Sequence, residues 1–208
     1  MTRDTHDSLV TSGARIRPQD PETVQALIDD APEAARSNQA RAEAILGELD
    51  ADAVPAAYDN EADWGFTFTG ILAHRPETFK LWWAEEGAAF GEGTLDRGFK
   101  ELLAAVIAHR RGAAICIAWH VTSAQLEDIE PERFAIAANF DERKEELPER
   151  ERVAIDFAVR SVEEPTSIND EDVTQLRDHG YTEGEIVELV TTAGTAAKFA
   201  NYAITFDI

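Results

Sequence analysis

The sequence predicts an all-α protein. Alanine, glutamate and leucine favour helices and are frequent, whereas glycine occurs only 12 times in 208 residues. Stretches in which β-branched and polar residues alternate, as they do in half-buried strands, are scarce. Helix-start signals recur along the chain instead. Because 44% of the residues are hydrophobic, the chain can form a substantial core, and one domain of packed helices is expected.

The first helix is predicted to begin after Asp20. An aspartate can cap the free backbone N–H groups of a first turn, and Pro21 then suits the first helical position. Glu22 complements the positive end of the helix dipole. This helix is expected to end near Asp30.

The chain is predicted to consist of two parts. Residues 1–50 have no recognisable counterpart and are interpreted as an N-terminal helical extension, with a second amphipathic stretch at 32–49. Residues 50–62 are acidic and indicate a loop. Residues 51–208 form the main helical domain, whose first helix lies within 61–73.

The next helix starts at Pro76 and is rich in aromatic residues. Such a cluster indicates the protein core or a subunit interface, and a wall of a substrate pocket is the alternative. The helix containing Trp82 and Trp83 is therefore a candidate contributor to a homo-oligomer interface. The large apolar residues in this helix are Phe79, Leu81, Trp82, Trp83 and Phe90.

Two further helices are predicted around a short turn. Thr94 is expected to cap the first, with Asp96 in its first turn. Gly112 ends it, because glycine readily adopts the left-handed conformation that terminates helices. The second helix begins near Ala113.

The C-terminal part also gives helical signals. Residues 131–140 and 149–163 are predicted helices. Asp170 is expected to cap a short helix that ends at Gly180. Thr182–Glu185 has the pattern of a capping box and opens the last helix.

The candidate chemistry lies in the two helices around Gly112. Cys116 is the only cysteine of the chain, His120 follows four residues later, and Glu101 precedes the cysteine by fifteen. Residues four apart share a helix face, so the thiol and the imidazole can meet. A thiol beside an imidazole and near a helix N-terminus can become a nucleophilic thiolate, and a carboxylate can orient the histidine. The alternative is a structural cysteine, since buried cysteines often act as small hydrophobic residues.

Residues 94–120 resemble the core motif of the alkylhydroperoxidase D-like and carboxymuconolactone decarboxylase family. That motif has a glutamate on one helix, then Cys-x-x-Cys-x-x-x-His on the next. Glu101, Cys116 and His120 correspond to its glutamate, second cysteine and histidine, whereas Ala113 replaces the first cysteine. Residues 151–204 are similar to the C-terminal part of peroxidase-related members. The resemblance implies an all-α alkylhydroperoxidase D-like fold and a homo-oligomer.

The resemblance also implies a function. The expected activity is a thiol-dependent, peroxidase-like reduction of hydroperoxides, with Cys116 as the peroxidatic thiol. Because Ala113 removes the partner cysteine, an external thiol would be the reductant, and no cofactor is expected. The alternatives are a decarboxylase-like lyase or isomerase that uses His120 and Glu101 for acid–base chemistry, or a non-catalytic helical oligomer with a decayed site.

Two further residues are candidates for substrate binding. His109 lies eight residues after Glu101 on nearly the same helix face; alternatively it interacts with the helix dipole at the C-terminus. Trp119 precedes His120, and packing is its alternative role. No metal is expected, because the chain lacks a dense ligand motif such as His-Glu-x-x-His.

The charge of the chain limits its partners. Asp and Glu number 41 against 19 Lys and Arg, a net charge of −22. This balance disfavours nucleic acids and anionic membranes and leaves a small-molecule substrate as the expected partner. The acidic residues are dispersed and lysines are few, which suggests a host that accumulates salt. With no apolar signal segment or spanning run, a cytoplasmic location is expected.

Overall fold

The computed structural model describes residues 15–31, 44–45, 64–91, 93–126 and 129–208. These residues form helices and no β-strand, which confirms the predicted all-α class. No helix in these ranges is long and apolar enough to cross a bilayer. The α-helices are α1 (Pro21–Asp29), α2 (Trp64–Leu72), α3 (Pro76–Gly91), α4 (Arg97–Arg111), α5 (Ala114–Gln125), α6 (Pro131–Ala138), α7 (Phe140–Arg143), α8 (Glu149–Glu163), α9 (Asp170–Asp178) and α10 (Glu183–Phe206). Short 3-10 turns lie at Lys144–Glu146 and Pro165–Ser167.

Helix α4 is the centre of the fold. It packs most extensively against α5 and α10, and also against α3, α6 and α8. Every residue from 98 to 108 is buried. A helix enclosed on all sides is normally apolar all round, yet this one carries Lys100 and Glu101. Both charges therefore need partners inside the protein.

Lys100 finds its partner on α10. Its ammonium group forms an ion pair with Glu188. The same carboxylate accepts hydrogen bonds from the backbone amides of Thr94, at 3.0 Å, and Leu95, at 3.3 Å. The backbone of Gly93 passes so close to this carboxylate, at φ +105°, that a Cβ atom would collide with it. Glu188 thus fastens α10 to the segment that leads into α4.

The N-terminal caps agree with the sequence in one helix and differ in another. Asp20 caps α1, as predicted, by accepting a hydrogen bond from the Thr23 amide at 2.8 Å. The prediction that Thr94 caps the helix of Glu101 is wrong. Asp96 is the cap, because its carboxylate accepts from the Phe99 amide at 3.0 Å, and Thr94 instead bonds Glu188.

Among the later helix boundaries, two predictions are confirmed and one is wrong. Gly112 ends α4 in the left-handed conformation, at φ +70°, as predicted. Asp170 is not the cap of α9 but its first residue; Asn169 is the cap, since its side chain accepts from the backbone. The capping box between Thr182 and Glu185 is confirmed at the start of α10.

Two hydrophobic clusters form the core. The first surrounds α4 and includes side chains of α6, α8 and α10. The second, here called the aromatic cluster, contains Phe79, Trp82, Trp83 and Phe199 together with Cys116. Trp82 and Trp83 are only 5% and 4% exposed, so they belong to the core of this chain and not to its outer surface.

Helix α1 is packed onto this second cluster. Val24 and Ile28 are buried in it, and α1 contacts both α2 and α3. The division of the chain into an N-terminal extension, residues 1–50, and a main domain, residues 51–208, remains a prediction. The predicted helix at 32–49, apart from residues 44–45, and the predicted loop at 50–62 lie outside the described residues.

Candidate active site

The site is built on the hairpin of α4 and α5. Gly112 and Ala113 connect the two helices, and the Ala113 amide closes the turn with a hydrogen bond to the Ala108 carbonyl at 3.0 Å. Such a short connection makes neighbouring helices antiparallel and brings their facing side chains together. Glu101 on α4 therefore faces His120 on α5.

Glu101 and His120 form a buried hydrogen-bonded pair. The distance between His120 Nδ1 and Glu101 Oε2 is 2.8 Å. Glu101 is 1% exposed and His120 3% exposed, so bulk water does not compete for this bond. Hydrogen bonds to a carboxylate gain strength in such an environment. The pair is thus a preorganised unit for holding or moving a proton.

Two other side chains complete the surroundings of this pair. The ring of Phe90 on α3 lies beside the imidazole, with 5.3 Å between ring centroids. Ser123 on α5 is fully buried and donates a hydrogen bond from Oγ to Glu101 Oε1 at 2.7 Å. Ser123 was not predicted from the sequence, although a polar residue three positions after His120, on a helix of mainly apolar and small residues, indicates such a contact.

Cys116 lies one turn before His120 but in a different environment. Its side chain is 7% exposed and packs in the aromatic cluster. Burial raises the pKa of the Cys116 thiol to about 12. Within the described part of the chain, the thiol makes no hydrogen bond to His120. The dipole of α5 was expected to favour the thiolate, but burial outweighs it, because removing water disfavours the charged form.

The two predicted substrate-binding residues lie on the same two helices as the pair. His109 is in the last turn of α4, partly buried, and burial lowers its pKa. It makes no side-chain hydrogen bond within the described residues. Trp119 packs against the aromatic cluster. The roles of His109 and Trp119 in substrate binding remain predictions.

The arrangement also bears on metal binding. In the described ranges, no three His, Cys, Asp or Glu side chains converge as a metal site requires. Both oxygens of Glu101 already have partners, His120 Nδ1 at 2.8 Å from Oε2 and the Ser123 hydroxyl at 2.7 Å from Oε1.

Comparison with known proteins shows the fold. No family model matches the chain, and no curated protein is significantly similar to it. Solved structures, in contrast, match with probability 1.00. An alkylhydroperoxidase AhpD core structure, an uncharacterized peroxidase-related protein from Ralstonia eutropha JMP134, superposes with a TM-score of 0.62 at 23% identity. That match covers 78% of this chain and 86% of the other.

Two other structures agree with this one. An uncharacterized peroxidase-related protein from Silicibacter sp. TM1040 gives a TM-score of 0.62 at 19% identity, over 76% of this chain and 82% of its own. A protein of unknown function from Agrobacterium tumefaciens, provisionally named an AhpD antioxidant defence protein, gives 0.57 at 23% identity, over 66% and 92%. The chain therefore has the all-α fold of the alkylhydroperoxidase D core, as its motif resemblance implied.

Proposed function

We propose that the protein is a peroxidase-like oxidoreductase that reduces hydroperoxides with the thiol of Cys116. The observation that carries this proposal is the buried hydrogen bond between Glu101 and His120, one helical turn from the only thiol of the chain. The AhpD-like fold and the motif resemblance support the same chemistry. Glu101, Cys116 and His120 each have a defined part in it.

In the proposed reaction, the sulfur of Cys116 attacks the terminal oxygen of a hydroperoxide. An S–O bond forms, the O–O bond breaks, and the leaving alkoxide takes the proton that the thiol gives up through His120. The products are an alcohol and a cysteine sulfenic acid. A low-molecular-weight thiol then forms a mixed disulfide and releases water, and a second such thiol restores Cys116 while leaving as the disulfide.

The proton on Cys116 is the main barrier to this reaction. A thiol with a pKa of about 12 is almost wholly neutral at pH 7, and the neutral form is a poor nucleophile. Turnover therefore requires that the thiol proton passes to His120 when the hydroperoxide binds. Glu101 stabilises the imidazolium that results, because the two side chains are already hydrogen-bonded.

A second candidate is acid–base catalysis on a small carboxylate-bearing compound, as in a lyase or isomerase. The observation that favours it is the separation of the site into two parts. His120 and Glu101 form a finished proton-transfer unit, whereas the thiol packs apart from it in the aromatic cluster. In this case Cys116 only lines the pocket.

One pair of variants separates the two candidates. The wild-type protein, Cys116→Ser and His120→Gln are assayed for reduction of an organic hydroperoxide with a supplied small thiol, in molar KCl. The peroxidase proposal expects turnover that Cys116→Ser abolishes and His120→Gln strongly reduces. It also expects a sulfenic acid on Cys116 that dimedone traps and mass spectrometry detects.

Two outcomes of these assays would contradict the peroxidase proposal. Absence of both turnover and a trapped sulfenic acid excludes the peroxidase chemistry. Activity on a small carboxylate substrate that survives Cys116→Ser but is lost in His120→Gln establishes the acid–base alternative. Serine differs from cysteine by one atom, so Cys116→Ser is expected to keep the fold. Its circular dichroism spectrum and Tm serve as the control for folding.

A further inference from the structure

Ser123 is placed to act on Glu101. It lies on α5, three residues after His120, so both side chains project toward α4 from adjacent turns of one helix. Its Oγ donates to Glu101 Oε1 at 2.7 Å, while His120 Nδ1 lies 2.8 Å from Oε2. Each oxygen of the carboxylate thus has its own partner. All three residues are at most 3% exposed.

The geometry around this serine differs from that of a hydrolase triad. In a serine–histidine–acid triad the hydroxyl bonds the imidazole, which takes its proton. Here the Ser123 hydroxyl bonds the carboxylate instead. The contact that the structure gives this hydroxyl is therefore with Glu101, and the effect argued here passes through that carboxylate.

The hydrogen bonds also assign the hydrogen on His120. An ionised carboxylate can only accept hydrogen bonds, so its neighbours must both donate. With Glu101 in this ionised form, the hydrogen of His120 lies on Nδ1, and Nε2 keeps the lone pair that can take a proton. Without the serine, Glu101 Oε1 loses a buried hydrogen bond, and the broad terminal torsion of its side chain is less restrained.

We propose that Ser123 is a positioning residue for this site. By holding Oε1, it fixes the carboxylate so that Oε2 keeps His120 in the Nδ1–H form, with Nε2 as the proton-accepting nitrogen. The consequence for catalysis rests on the proposed function, whether peroxidase or acid–base. The assignment of the imidazole hydrogen does not, and it can be measured without any substrate.

The first test uses the wild-type protein labelled with nitrogen-15 in its histidines. Long-range proton–nitrogen correlation spectra distinguish a protonated ring nitrogen from one that carries a lone pair. The signals of His120 are assigned by their loss in His120→Gln. We expect Nδ1 to be protonated and Nε2 to be unprotonated near neutral pH. The reverse pattern in the wild type overturns the proposal.

The second test removes and restores the hydroxyl. In Ser123→Ala we expect the two ring-nitrogen shifts of His120 to move toward each other as the tautomers mix. We expect kcat to fall about tenfold, as for the loss of one hydrogen bond, with little change in KM. Ser123→Thr retains the hydroxyl and is expected to restore both values.

Thr192→Val is the matched control. Thr192 is also fully buried, on α10, and its hydroxyl bonds the Ala89 carbonyl at 3.4 Å. This variant removes a buried hydroxyl that bonds a backbone carbonyl and should leave the His120 shifts unchanged. Equal shifts of His120 in Ser123→Ala and the wild type overturn the positioning role. If the protein has neither proposed activity but still shows the predicted His120 shifts, the proposed function is wrong and the positioning role of Ser123 stands.

Discussion

The buried thiol gives a quantitative prediction for Cys116. Burial raises its pKa from 9.0 to about 12, and each unit lowers the thiolate fraction at pH 8 about tenfold. The native chain thus holds about 1000-fold less thiolate than the unfolded chain. A thiolate of higher pKa is more nucleophilic, which offsets about 20-fold of this difference. Native Cys116 should therefore react about 50-fold more slowly with a disulfide reagent, and restricted access at 7% exposure slows it further.

The assay follows the release of an aromatic thiolate from a small disulfide reagent by stopped flow. Rates are measured from pH 6 to pH 10 for the native protein and for protein unfolded in guanidinium chloride. The unfolded thiol should level off near pH 9. The native thiol should keep gaining reactivity, by close to tenfold per unit, up to pH 10. Protein unfolded and then refolded serves as the control for irreversible oxidation.

Two results would refute this reasoning. A native rate within a factor of three of the unfolded rate would mean that the thiol is exposed or that the helix opens readily. A native profile that levels off below pH 8 would mean that a neighbouring group stabilises the thiolate, contrary to the burial that raises its pKa. That second result would instead favour a peroxidase with a permanently activated cysteine.

Three other predictions follow from the sequence and the fold. Because of the net charge of −22, raising KCl from 0.1 M to 2 M should screen repulsion and raise Tm by about 5 °C or more; a flat Tm would contradict the proposed adaptation to salt. Glu188→Gln leaves the Lys100 charge buried without its counterion and should cost about 3 kcal/mol in urea unfolding, whereas a loss below 1 kcal/mol would contradict a buried pair. Ala113→Cys should form a reducible disulfide with Cys116 on mild oxidation, and retention of two free thiols in mass spectrometry would exclude it.

The ion pair between Lys100 and Glu188 also makes the stability of the protein depend on pH. Burial alone would raise the pKa of Glu188, but the hydrogen bonds from Lys100 and from the amides of Thr94 and Leu95 together lower it. A carboxyl whose pKa is lower in the folded state stabilises the protein above its unfolded pKa. That stabilisation is lost as the pH falls through the folded value. Acid should therefore destabilise the wild type more than it does Glu188→Gln.

The features predicted correctly from the sequence depend on local interactions. The cap at Asp20, the stop at Gly112 and the capping box at Thr182 are each formed within a few residues, so spacing alone identifies them. The wrong cap at Thr94 had a distant cause. Its amide and hydroxyl are taken by Glu188, which lies 94 residues later in the chain, and no local pattern indicates that contact.

Contacts between distant parts of the chain also limited what could be predicted of the site. The spacing of Glu101 and His120 placed them on neighbouring helices, but their contact depends on how α4 and α5 pack. Ser123 was missed because its partner is on the other helix. The sequence left open whether Cys116 is an activated or a buried thiol, because its position near a helix N-terminus is local, whereas its burial comes from α3, α5 and α10 together.

The burial of Cys116 also determines which reductant the proposed peroxidase can use. With one cysteine in the chain, a sulfenic acid has no internal thiol to condense with. Its sulfur belongs to a side chain that is 7% exposed, and a bulky protein thiol would have to displace the surrounding helices to attack it. A small thiol needs only the opening that admits the hydroperoxide. The replacement of the first motif cysteine by Ala113 and the burial of Cys116 therefore favour the same reductant, a low-molecular-weight thiol.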